Sequence, residues 1–156
     1  MDEITIIYED DNKDLEQYEK VFEELLTHTK NELKIDKSLM LSVTFIKPEE
    51  SIRLNTEYRG KEYVGDVISF PIDDPMGIYE QLDFKEIGDI FITYDEALNK
   101  AKLYNHKIYE EMCWLFVHGL LHILGYDHEL GENEEKEMFD LTNNILKRVN
   151  VVYKVV

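Results

Sequence analysis

With 156 residues, 44% of them hydrophobic and 12% aromatic, the chain can bury one packed core and is read as a single domain over 1–156. Its one cysteine, Cys113, excludes an intramolecular disulfide and every zinc site built from several thiolates, and fits a reducing compartment. A formal charge of −17, from 17 Lys and Arg against 34 Asp and Glu, argues against a broad surface for nucleic acid or anionic lipid.

Glu3 to Tyr8 reads as a strand, because Ile4, Thr5, Ile6, Ile7 and Tyr8 are β-branched or aromatic and acids and asparagine follow. The short apolar stretch of MDEITIIYEDD lies between acids and lacks the basic start of a signal peptide. No later apolar run approaches membrane-spanning length, so a cytoplasmic protein with no membrane partner is expected. From Leu15 to Leu33 apolar residues recur at three- and four-residue spacing, which predicts a helix with one buried face. Met40 to Ile46 is a second strand. Pro48 suits the first turn of a helix ending near Tyr58 and Arg59.

Gly60 to Gly65 reads as a loop, Asp66 to Phe70 as a third strand, Pro71 to Phe84 as a long connection and Ile87 to Thr93 as a fourth strand. A helix is expected over Asp95 to Leu103. Asn105 is placed to cap the next one, Ile108 to Leu124, whose dense apolar content suits a central, buried helix. Gly125 ends it, and Asn133 to Val149 forms a last amphipathic helix with Met138, Leu141, Ile145 and Val149 on one side. The expected class is α+β: a mixed sheet of about four strands packed with about five helices, with a metal site on the central helix.

The segment His118-Gly119-Leu120-Leu121-His122-Ile123-Leu124-Gly125-Tyr126-Asp127-His128 is the most informative. Histidines four apart on a helix project from one face about 6 Å apart along the axis, so both can reach one ion. Gly125 can take the left-handed conformation that stops the helix and return His128 to the same point. Three imidazoles with a free coordination position suit a catalytic divalent ion, one zinc, better than a closed structural site. His106, near a helix start, is read as a capping or solvent residue, and His28 as an ordinary helical histidine. The spacing also matches the metzincin peptidases, which carry a glutamate after the first histidine as general base. That position is Gly119, and no methionine turn follows, since Met138 lies inside the last helix.

Taken together, HGLLHILGYDH at 118–128 resembles the signature of the YbeY family, bacterial metal-dependent endoribonucleases concerned with ribosomal RNA maturation. Asn55, Tyr58 and Arg59 resemble its N-x-x-Y-R element, DVISFP at 66–71 its third strand, and Gly88-Asp89-Ile90 its L-G-D-I strand; His106 falls where members often carry a histidine. Val64-Gly65 departs from the usual Pro-Thr. The resemblance implies cleavage of single-stranded RNA at or near the 3′ end of small-subunit ribosomal RNA, association with the ribosome, metal ligands His118, His122 and His128, and Arg59 as the catalytic residue. A guanidinium suits that role because it clamps a phosphate with two hydrogen bonds and offsets developing charge.

Glu111 and Asp127 are candidates for orienting a ligand histidine, or ordinary acids. From Lys47 to Lys61 four basic residues (Lys47, Arg53, Arg59, Lys61) face three acidic ones (Glu49, Glu50, Glu57), a local sum of +1, and Tyr58 and Tyr63 are available to stack on bases. Two other functions stay open at this level: a metallohydrolase of peptides or small molecules, and a nonenzymatic ribosome assembly factor with a structural zinc.

Overall fold

The β-branched run that opens the chain forms strand β1 (Glu3–Tyr8) in the structure, a computed structural model that describes residues 1–153. Asn12 accepts the Asp14 N–H (2.9 Å) and starts a 3-10 turn at Lys13–Tyr18, which leads into α1 (Glu19–Leu33). The single helix expected from Leu15 is therefore a tight turn followed by an α-helix, with Leu15 and Tyr18 buried as the periodicity required. Then come β2 (Ser38–Ile46), α2 (Pro48–Arg59), β3 (Val67–Pro71), β4 (Phe84–Thr93), α3 (Tyr94–Tyr104), α4 (Ile108–Ile123) and α5 (Glu132–Lys147).

Strand β2 begins at Ser38 rather than Met40, α5 ends at Lys147 rather than Val149, and two further differences have clear causes. Strand β4 begins at Phe84 rather than Ile87, because Phe84, Lys85 and Glu86 pair with Ser38, Leu39 and Met40 below a bulge between Met40 and Leu41. Lys85 and Glu86 are charged, which hides this part of the strand from a hydrophobic pattern. Asn105 does not cap the start of α4; it sits at φ +58 and closes the end of α3, a left-handed position that asparagine tolerates. Lys107 takes the N-cap of α4, its N–H donating to the Glu110 carboxylate (2.9 Å).

The fold is α+β with a mixed sheet in the order β1-β2-β4-β3, the first three strands parallel and β3 antiparallel at the edge. Strand alternation splits the apolar residues between two faces. Val43, Phe45, Ile90 and Ile92 meet the main core with Phe22 of α1, Phe116 of α4 and Ile145 of α5, whereas Ile46, Ile68, Phe70 and Phe91 meet Leu54 of α2 on the opposite face. Phe22 and Phe116 stack at 4.4 Å and 9°, joining α1 to α4. No helix among the described residues is long and apolar enough to cross a membrane.

Edge strand β3 is fitted to β4 at Gly88, opposite Pro71. Gly88 has φ +149, and a Cβ there would lie 2.3 Å from the Phe70 carbonyl oxygen. Gly88→Ala is expected to lower the free energy of unfolding by about 2–4 kcal/mol, through backbone strain and overpacking together. Urea unfolding checks this; an unchanged midpoint would mean that the edge strand yields freely.

Candidate metal centre and cleft

Helix α4 buries Met112, Leu115, Phe116, Leu120 and Leu121 against the sheet and α1, which leaves His118 and His122 beside β3 on a cleft that the end of α2 also lines. Their Nε2 atoms lie 3.1 Å apart. The helix stops as expected: Gly125 has φ +105, and the Tyr126 N–H returns to the Leu121 carbonyl (3.0 Å). Asp127 accepts the Glu129 N–H (2.8 Å), starting a 3-10 turn at His128–Leu130 that brings the His128 ring to 5.2 Å from each of the other two. One nitrogen of each histidine lies within 4.8 Å of the others, so the three could hold one metal ion.

The donor set fits a divalent cation. Two nitrogens bound to a tetrahedral zinc at 2.0–2.1 Å sit roughly 3.3 Å apart, close to the observed spacing. Burial, then the neighbouring His122 and His128, pushes His118 down to about 3; burial, then His128, lowers His122. Both are therefore neutral at neutral pH, the form that has a lone pair to give. His128 Nδ1 is buried without a hydrogen-bond partner among the described residues.

The histidines form one wall of a cleft of about 630 Å³. Val67, Ser69 and Phe70 of β3 line it together with Tyr58, Arg59, Lys61 and Tyr63 from α2 and its following loop. The basic patch counted along the sequence divides here. Lys47 pairs with Asp10 (3.3 Å) and Arg53 with Glu50 and Glu57, whereas Arg59 and Lys61 make no ion pair among the described residues and face the cleft. Tyr58 and Tyr63 are 60% and 49% exposed, which leaves ring surface open to a ligand. Lys100, also at the cleft, is paired with Asp66.

A family model described as Endoribonuclease YbeY matches residues 4–150. The chain belongs to the YbeY family. It is 40% identical over 152 residues to the Endoribonuclease YbeY of Mesoplasma florum, covering 97% of this chain and 89% of that protein. It is 42% identical over 132 residues to that of Staphylococcus carnosus, covering 84% and 85%. A solution structure of a Thermotoga maritima protein aligns with a TM-score of 0.63 at 27% identity, covering 94% of this chain and 88% of that one. Membership in YbeY supports a nuclease, hence hydrolase, role.

The other YbeY-like elements have distinct places. Asn55 is buried and donates to the Tyr63 carbonyl (2.9 Å), while Ser51 Oγ both accepts the Gly65 N–H (2.8 Å) and donates to the Gly65 carbonyl (2.9 Å). Together they tie down the loop that carries Lys61 and Tyr63. At the Val64-Gly65 departure, a Cβ on residue 65 would lie 2.8 Å from Asn55 Nδ2, so this tie is adapted to glycine. Gly119 packs on the sheet: a Cβ there would meet Ser69 Oγ at 3.0 Å and Val67 and Ile90 at 3.1 Å, and Ser69 donates to the Gly119 carbonyl (3.0 Å). The peptidase glutamate is absent, and its position is filled by strand side chains.

His106 is neither a cap nor solvent-facing. Its side chain is 4% exposed, lies against Tyr104 and Tyr153, and is not part of the convergent three. Trp114, which the sequence reading left out, stacks on His118 at 4.4 Å and 15°; its position one turn before His118 was the available signal. Asp127 is engaged as a cap. Glu111 is fully buried, accepts the Tyr153 hydroxyl (3.2 Å), and lies 3.8 Å from His106 Nε2 rather than on a ligand histidine.

Burial pushes the Glu111 carboxyl from 4.5 up to about 7. Between those values the native protein holds a proton that the unfolded chain has released, so stability falls as pH rises through that window and the loss is complete above about 7. Glu111→Gln is expected to reduce the stability lost between about pH 5 and pH 8 by roughly 2–3 kcal/mol, read by urea unfolding at each pH. Parallel pH profiles for the two proteins would contradict the assignment.

Proposed function

We propose that this chain is a metal-dependent, single-strand-specific endoribonuclease that matures the 3′ end of small-subunit ribosomal RNA, working in the cytoplasm on the small ribosomal subunit. The reading takes 1–156 as one YbeY-like metallohydrolase domain, of which 154–156 lie outside the described residues. One observation carries it: two unpaired cations, Arg59 and Lys61, line the same cleft as three convergent histidines, two of them held neutral.

His118, His122 and His128 would hold one divalent ion, zinc, which supplies a Lewis acid for phosphodiester hydrolysis. Arg59 is assigned the catalytic role of binding a non-bridging phosphate oxygen and offsetting the charge that accumulates on it; its exposure and freedom from carboxylates support this. Lys61 adds a second phosphate contact. Tyr58 and Tyr63 offer stacking faces to unpaired bases, which a duplex would keep engaged with each other. With Arg59 and Lys61 as the cations outside ion pairs at the cleft of an acidic chain, contacts supplied by the ribosome would strengthen binding. The filled position at Gly119 counts against a metzincin-type peptidase, and the openness of the histidine wall to a cleft counts against a purely structural zinc.

The test compares cleavage of a fluorescent single-stranded oligoribonucleotide with the same sequence in a duplex, alongside metal content. Arg59→Ala should retain the metal and lose about 10²–10³ in rate, as removal of a charge-stabilising donor does elsewhere. His122→Ala should lose both metal and cleavage. Full activity in both variants would remove the proposal.

A further inference from the structure

Metal-ligating histidines ordinarily have their second ring nitrogen fixed by a carboxylate, carbonyl or water. The side-chain hydrogen bonds among the described residues give His118 only its contact with His122. A stack of rings supports its plane instead. Trp114, one turn earlier on α4, lies 4.4 Å from His118 at 15°. Tyr153 lies 4.8 Å from Trp114 at 19°, and His106 lies 4.3 Å from Tyr153. The Tyr153 hydroxyl donates to Glu111, which is fully buried near the start of the same helix.

Tyr153 belongs to the segment after α5. That segment is held where it leaves the helix: Val151 is 2% exposed and its N–H donates to the Leu146 carbonyl (3.0 Å). We propose that Tyr153 is a positioning residue for the metal centre, fixing the plane of His118 through Trp114, so that metal affinity depends on a side chain with no contact to ion or substrate. The inference rests on reading His118, His122 and His128 as ligands. Trp114 also lines the cleft, but its ring is stacked on both His118 and Tyr153, whereas Tyr58 and Tyr63 keep more than a third of their surface open.

Trp114 is the chain's only tryptophan, so intrinsic fluorescence reads the stack directly. Zinc titrated into metal-free full-length protein should change wild-type emission saturably at one ion per chain, with affinity read by competition against a chelator. Tyr153→Ala should shift the emission of the metal-free protein and weaken zinc binding by about tenfold or more, the range that follows loss of a hydrogen-bonded support behind a ligand. Tyr153→Leu keeps apolar bulk without a flat ring and should resemble Ala, whereas Tyr153→Phe should restore affinity to within about threefold of wild type. Circular dichroism verifies folding; should Ala not fold, the Leu and Phe comparison decides. Equal affinity in wild type and a folded Ala or Leu variant would overturn the proposal, as would a Phe variant as weak as Leu. A wild-type protein that binds no zinc would instead overturn the ligand reading, and this inference with it.

Discussion

Helix α4 lies against β3 and β4 so closely at Gly119 that a single added carbon would press on Ser69, Val67 and Ile90 together. That approach sets the height and rotation of the helix over the sheet. Neighbouring His118 and His122 therefore stand beside β3, whose Val67, Ser69 and Phe70 line the same cleft. The Ser69 hydroxyl, bonded to the Gly119 carbonyl, holds the same contact from the strand side. Space that a catalytic carboxylate would need in a peptidase is thus occupied by the packing that builds the site.

Burial acts on the titratable groups of α4 in opposite directions, as loss of hydration requires: it lowers His118 and His122 and raises Glu111. In each case the neutral form is favoured. At one end of the helix this leaves imidazole lone pairs free for a cation; toward the other, a carboxyl close to protonation lies between Tyr153 and His106. The Trp114 and Tyr153 rings connect the two regions.

The acidity of the chain and a phosphate-binding role are reconciled by how the cations are placed. Lys47 and Arg53 are neutralised by carboxylates away from the cleft, while Arg59 and Lys61 are presented to it at the end of α2. Their presentation depends on two buried polar side chains, Ser51 and Asn55, bonded to the backbone of the following loop. A buried donor left without a partner is costly, so these bonds resist separation of the loop from the helix.

Much of this was legible in one dimension wherever a local rule sufficed. β-Branched runs and apolar periodicity located the strands and helices, and the four-residue spacing of His118 and His122 with the stop at Gly125 brought three imidazoles together. The family motifs in the chain agreed with the family later matched over 4–150. Local rules fell short where the deciding partner was distant in sequence. Polar Lys85 and Glu86 join a strand because β2 offers them a ladder, and His106 is buried because Tyr153 covers it. Lys47 and Lys61, alike on paper, differ because the fold brings Asp10 to the first and a cleft to the second, whereas Arg53 meets Glu50 and Glu57 of its own helix. Which elements form, and which three histidines can meet, follow from contacts along the chain. Which cations stay free, which acid loses its water and what stands behind His118 follow from packing between segments, because burial and pairing are properties of a neighbourhood that only the folded chain creates.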